Sequence, residues 1–250
     1  MRKAMRVGAV VCVLVATVVL WLWARPEGLA DAAACGDLEA VRRILDGKPD
    51  INAQDDFGFA ALHRAAGAGH RDVVELLIRE GANVEARTKG GWTPLHWAAV
   101  RGESGVLAAL IRAGASLEAR DTSGRTPLHL VTHPELGSVA QLLVSNGADA
   151  NARDASGATP LHVAARWQGD TVQLLATNGG EVNARDSKGR TPLHAAAEYG
   201  CVDAADALIA KGGTINARDR DGLTPLDVAR DEVMKGFLRA RGGRAGEEAK

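Results

Sequence analysis

The sequence predicts an all-α chain, a solenoid of stacked helical units preceded by an N-terminal hydrophobic helix. Three observations predict it. The tetrapeptide Thr-Pro-Leu-His occurs at Thr93–His96, Thr126–His129, Thr159–His162 and Thr191–His194, in steps of 33, 33 and 32 residues. Weaker copies stand one period earlier, at Ala60-Ala61-Leu62-His63, and one period later, at Thr224-Pro225-Leu226-Asp227. Such a period, with small residues after each copy, marks units that must stack to bury their apolar faces. Finally, the run from Val7 to Trp23 contains no charge.

The N-terminal run follows Arg2, Lys3 and Arg6, the pattern of an export signal or a membrane anchor. As a helix it is about 26 Å long, within the accepted range for a membrane span. Trp21 and Trp23 suit an interfacial aromatic belt. No clean cleavage site follows: bulky Leu22 stands two positions before Ala24, and cutting at Ala30-Asp31-Ala32 would remove part of the first repeat helix. The preferred reading is an uncleaved anchor through residues 7–23; the alternative is cleavage to a secreted or periplasmic form. Basic residues precede the run, while Arg25 is balanced by Glu27 after it, so the repeats should face outward, into the periplasm in a bacterium.

Within one unit the elements follow in order. Thr93 is expected to cap a first helix by accepting amides that its first turn leaves open. Pro94 then takes the first helical position, where its missing N–H costs nothing. Ala98 and Ala99 let helices approach closely, and Gly102 suits the left-handed position past the helix end. A second helix near Ser104 to Ala113 carries Val106, Leu107, Leu110 and Ile111 at helical spacing and ends at Gly114. Segments such as Asp186-Ser187-Lys188-Gly189 read as turns.

The same frame returns around each copy: Asp121-Thr122-Ser123-Gly124 or Asp154-Ala155-Ser156-Gly157 before it, Leu76-Leu77 or Leu142-Leu143 after it, then Gly147-Ala148 and Asn151-Ala152-Arg153. This resembles the ankyrin-repeat family, in an exported or membrane-anchored, bacterial-type form. The resemblance covers Leu29 to Arg241. It implies a helix-turn-helix per repeat, β-turn fingers between repeats, and a concave face lined by finger tips and first-helix ends. Residues 1–28 hold the anchor and a short linker. Residues 29–54 resemble an N-terminal capping repeat, and 55–87, 88–120, 121–153, 154–185 and 186–218 are full repeats. Residues 219–241, where Asp227 replaces the histidine, resemble a C-terminal cap, since the last unit shows one face to water. Residues 242–250 have no apolar periodicity and are expected to be disordered. Two repeats depart from the frame. Pro134 should disturb the end of one first helix. The repeat starting at Asp154 is one residue short, with Gln168 where glycine is usual.

Composition and spacing exclude several chemistries. From Leu29 onward there are 26 basic and 30 acidic residues, a net charge of −4, which argues against nucleic acid as a partner. Cys12 lies in the apolar run, and Cys35 and Cys201 are five repeats apart, too far to bond. His63, His96, His129, His162 and His194 share one slot in successive repeats. Stacked helices lie ~10 Å apart and a zinc–nitrogen bond is ~2 Å, so these are structural histidines with hydrogen-bond partners and not metal ligands. There is no phosphate loop, and no nucleophile–base set. No enzyme activity, cofactor or small-molecule substrate is therefore expected. Arg87, Arg120, Arg153, Arg185 and Arg218 form a further ladder, all but Arg87 followed by Asp, and read as neutralised and hydrogen-bonded within the fingers.

The candidate site rests on the aromatic residues. Phe57, Phe59 and Trp92 fall at finger positions, and Trp167 and Tyr199 at first-helix ends, where the framework does not need them. Arg125 and Arg190 share the slot of Trp92; Arg101 and Arg166 lie in or beside the slots of Trp167 and Tyr199. Trp, Tyr and Arg are the side chains enriched in interface hot spots. These nine residues predict a face that binds a protein partner. The function expected is a non-enzymatic scaffold outside the cytoplasm. The alternative is a dedicated chaperone-like or inhibitory subunit of an exported enzyme; a remote alternative is an enzyme.

Overall fold

A computed structural model of the protein describes residues 28–247, apart from Thr132, Gln168 and the side chain of Pro134. The apolar run and the helix expected there lie outside the described residues. Among the described residues, no helix is long and apolar enough to cross a membrane.

Helices follow one another in pairs. The first helices are α1 (Leu29–Cys35), α3 (Ala61–Ala68), α5 (Pro94–Arg101), α7 (Pro127–Leu130), α9 (Pro160–Ala164), α11 (Pro192–Tyr199) and α13 (Pro225–Val228). Their partners are α2 (Leu38–Asp46), α4 (Arg71–Arg79), α6 (Ser104–Arg112), α8 (Gly137–Ser145), α10 (Gly169–Thr177), α12 (Val202–Ala210) and α14 (Glu232–Ala240). First helices pack on neighbouring first helices, and second helices on neighbouring second helices. The core is one continuous strip. Leu62, Leu95, Leu128, Leu161 and Leu193 of the recurring motif are all buried within it. Full burial of each such side chain contributes about 1.5–3 kcal/mol. Ala65 and Ala66, like Ala98 and Ala99, are wholly buried, so their small size sets the helix spacing.

The start of each first helix differs from the expected cap. Thr93 is extended (φ −92°, ψ 167°) with Pro94 after it, but its hydroxyl caps no helix amide. Instead His96 Nδ1 accepts the Thr93 N–H at 3.2 Å and lies 2.9 Å from the Thr93 hydroxyl. The histidine at the third helical position therefore closes the turn, the half of a capping box usually made by Glu or Gln. The threonine serves the imidazole.

The helix pairs turn through Gly69, Gly102 and Gly200 at φ 79°, 80° and 72°, where a side chain would be strained. The two irregular repeats lack this device. α7 stops at Leu130, and a 3-10 turn over Pro134–Leu136 leads into α8. α9 stops at Ala164 with Ala165 in the right-handed region (φ −60°).

Between pairs, the fingers are Asx turns, except that in one of them Thr88 takes the place of the aspartate and its hydroxyl accepts the Trp92 N–H at 3.1 Å. Asp121 Oδ1, for example, accepts the N–H groups of Ser123 and Arg125 at 2.8 and 2.9 Å. Fingers join through the backbone: Thr122 N–H donates to Gly90 O, Ala155 N–H to Ser123 O and Ser187 N–H to Ser156 O, at 2.8–3.0 Å. Gly124 (φ 74°) is needed there, because a Cβ would stand 2.8 Å from the Ala155 nitrogen.

The expectation of disorder after Arg241 is corrected for residues 242–247. Arg244 N–H donates to Asn216 Oδ1 and Gly246 N–H to Asp227 Oδ2, both at 2.8 Å, while Asn216 Nδ2 donates to Gly242 O and Arg218 to Gly246 O. The segment behaves as a further finger. Backbone groups hold it, so apolar periodicity gave no sign of it.

Candidate protein-interaction face

The slot that closes each finger holds Phe59, Trp92, Arg125, Ala158, Arg190 and Leu223. Its backbone is fixed from the preceding repeat. His63 Nε2 reaches Trp92 O at 3.1 Å, His96 reaches Arg125 O at 3.2 Å, His129 reaches Ala158 O at 3.1 Å, His162 reaches Arg190 O at 2.9 Å and His194 reaches Leu223 O at 3.1 Å. Because Nδ1 accepts a backbone N–H, Nε2 carries the proton and donates. Desolvation on burial pushes all five imidazoles below the usual histidine pKa; the bond to the carbonyl works the other way without overcoming it.

The nine predicted site residues divide into two clusters and three outliers. In the first cluster, the Phe59 and Trp92 rings both lean on Trp97, with centroids 5.3 and 4.9 Å away. Arg64 lies 4.6 Å over the Phe59 ring and pairs with Asp55 at 2.6 Å. Phe59, Arg64, Trp97 and Arg101 together line a recess of about 240 Å³. Trp92 is half-buried by this packing, since a large ring beside another tryptophan covers part of itself, so it offers less open surface to a partner than Phe57, Trp167 or Tyr199. In the second cluster, Arg166 lies 4.5 Å over the Tyr199 ring and donates to its hydroxyl, and Arg190 pairs with Glu198 at 2.7 Å. Arg166, Arg190 and Tyr199 line a cavity of about 170 Å³.

The outliers are Phe57, Trp167 and Arg125. Phe57 stands at a finger tip, 69% exposed. Trp167 is 47% exposed and meets the ring of His133 edge-on at 5.0 Å. Arg125 is occupied by Asp121 at 2.7 Å. Burial works to raise the Asp121 pKa, but hydrogen bonds from Arg125 and the turn amides hold it below the usual carboxylate range.

Ankyrin-repeat models match residues 29–121 and 103–186 (three copies) and 174–229 (many copies). The chain belongs to the ankyrin-repeat family. The fold is similar to that of the human ASB11 ankyrin repeat domain, with a TM-score of 0.79 at 27% identity, covering 88% of this chain and 99% of that one. It is also similar to the ankyrin repeat domain of Bcl-3, a member of the IkappaB protein family, with a TM-score of 0.75 at 32% identity, covering 86% and 98%. No curated protein matches the sequence.

The arginine ladder of this ankyrin stack is structural. Arg87 donates to Arg120 O, Arg120 to Arg153 O, Arg153 to Arg185 O and Arg185 to Arg218 O, each joining one repeat to the next. The neutralising role expected of the adjacent aspartates is corrected: the guanidinium groups bond main-chain carbonyls, and the aspartates serve the turns. Among the described residues, no group of His, Cys, Asp and Glu could hold a metal ion.

Sequence reasoning missed Arg64, Trp97 and Glu198. Arg64 and Trp97 occupy one first-helix slot with Leu130, Val163, Ala195 and Val228, and that variation in size at the repeat period was a usable signal. Glu198 shares its slot with Gly67, Val100, His133 and Arg166, which varies in the same way. It matters because Arg190 and Arg230 both converge on it, at 2.7 and 2.6 Å.

Proposed function

We propose that the protein is a non-enzymatic scaffold that holds a protein partner on the concave face of its ankyrin stack. The observation that carries this reading is the exposure of Trp167 and Tyr199, 47% and 51%, at or just past first-helix ends, where each meets the preceding repeat through His133 or Arg166 and keeps about half of its surface open. Large exposed aromatic rings beside arginines are the chemistry of binding hot spots, and a rigid stack presents them with little ordering cost. The test is photo-crosslinking in intact cells from positions 167 and 199, with positions 79 and 112 on second helices as controls. A partner captured from the first pair and not the second supports the reading; capture from the controls alone refutes it.

We also propose that the repeats lie on the extracytoplasmic side of the membrane. Arg2, Lys3 and Arg6 ahead of the uncharged run support this orientation. A reporter active only in the periplasm, fused after Lys250, should be active, and a cytoplasm-only reporter silent. The reverse pattern refutes the orientation.

A further inference from the structure

The cavity between repeats 154–185 and 186–218 has an origin that can be read against its neighbours. At the finger-closing slot the chain places Phe59, Trp92, Arg125, Arg190 and Leu223, but Ala158 at this one repeat. Ala158, Asp154, Ser156, Asp186, Arg190 and Tyr199 are among the residues lining the space, about 170 Å³. Water occupies about 30 Å³ per molecule, so the space admits a side chain rather than a single water.

One repeat earlier the same slot is filled. Arg125 lies against Asp121, its Nε 2.8 Å and its terminal nitrogen 2.7 Å from Oδ2, while Oδ1 accepts the turn amides. Asp154 holds its own turn in the same way. Its Oδ1 accepts Ser156 N–H at 2.8 Å, the Ser156 hydroxyl at 2.7 Å and Ala158 N–H at 3.0 Å. With alanine at position 158, Asp154 makes no ion pair among the described residues, and its Oδ2 accepts no hydrogen bond there. Asp186 is left in the same state: Arg190, which could take the place of Arg125, turns to Glu198 at 2.7 Å. The charged lining is Asp154, Asp186 and Glu198 with Arg166 and Arg190; Glu198 is already held by Arg190 and, from outside the cavity, by Arg230, which leaves the Asp154 and Asp186 carboxylates without ion pairs among the described residues.

We propose that this cavity receives an arginine side chain of the protein partner, which pairs with Asp154 as Arg125 pairs with Asp121. The inference rests on the reading of this face as a protein-binding surface and adds what the partner must present: an arginine on a segment that can reach between two fingers. A guanidinium suits the site better than an ammonium, because its planar fork can serve one carboxylate through two nitrogens and lie flat beside Tyr199.

The test uses the full chain in detergent, labelled at alanine methyls, with Nα-acetyl-arginine methylamide as probe and its neutral citrulline analogue as control. The expected result is a saturable shift at the Ala158 and Ala195 methyls with the arginine probe only. Asp154→Asn keeps the turn acceptor but not the charge, and should weaken probe binding roughly tenfold or more. Ala158→Arg should abolish probe binding by filling the cavity from within, and should raise the thermal midpoint in the Asp154 chain but not with Asp154→Asn. Absence of a saturable shift, an equal response to citrulline, or unchanged binding in Asp154→Asn overturns the proposal. Failure here with partner crosslinking from positions 167 and 199 intact removes the arginine site alone; loss of that crosslinking removes the scaffold reading.

Discussion

His129 Nε2 lies 3.1 Å from the carbonyl oxygen of Ala158, 29 residues further along the chain. The same ring, through Nδ1, accepts the N–H of Thr126 at 3.2 Å. One side chain thus closes its own helix start and pins the finger slot of the next repeat. Replacing His129 with Ala leaves a buried N–H and a partly buried carbonyl without partners. Chemical denaturation should show a loss of about 1–3 kcal/mol. A change below ~0.5 kcal/mol, the range of ordinary surface substitutions, would show that water replaces the ring at no cost.

The five buried imidazoles predict a pH dependence. Their folded pKa values lie below the ordinary histidine value of 6.5, with desolvation the leading cause. The unfolded chain therefore binds more protons than the folded chain between the folded values and 6.5. Stability should be level above that window and fall as pH drops through it. The depressed carboxylates Asp121 and Glu198 act lower, below their ordinary values of 3.8 and 4.5. Thermal midpoints measured from pH 8 to pH 4 check this. A flat profile down to the carboxylate range would mean that the folded state accepts the protons.

The aromatic residues should separate by role. Changing Trp167 and Tyr199 together to Ala should leave the thermal midpoint nearly unchanged and sharply reduce partner capture, since truncating a hot-spot side chain typically costs ~2 kcal/mol or more of binding. Trp92→Ala should instead lower stability by about 1–2 kcal/mol, because its ring is half-buried against Trp97. Pull-down yield and calorimetry on the same variants decide it. Arg79→Ala and Arg112→Ala serve as exposed controls. Capture lost in the controls and retained in the double variant would move the working surface to the second helices.

The repeat period made the architecture legible because each slot recurs with the same chemistry: Pro94, Leu95 and His96 have counterparts at fixed distance, and their surroundings recur with them. What recurs in sequence did not disclose which atom bonds which. Thr93 looked like a helix cap, yet the acceptor is His96 Nδ1, because imidazole at the third position reaches back to the same amide. The site was legible only as a set of slots. That Trp92 is half-buried while Trp167 is exposed depends on what each ring meets, Trp97 of the same repeat in one case and His133 of the preceding repeat in the other. Contacts of that kind carry no periodic mark.

Ending the chain after Arg241 should loosen the last unit. Asn216, Arg218, Thr224 and Asp227 would each lose a partner in residues 242–246. A net loss of roughly 1–3 kcal/mol is expected, with faster amide exchange in α13 and in the finger at residues 219–223. Unchanged exchange there would show the segment to be a passenger.

The arginine and histidine joints of this stack are addressed to peptide carbonyls, which every residue type supplies. Adhesion between units is therefore blind to the identity of the side chains it holds in place. Trp92, Arg125, Ala158 and Arg190 are presented by the same bonds although they differ in size and charge. The recognition surface can be rewritten by substitution at such positions while the joinery beneath keeps its grammar, so lineages and designed libraries can explore new partners without first renegotiating the fold.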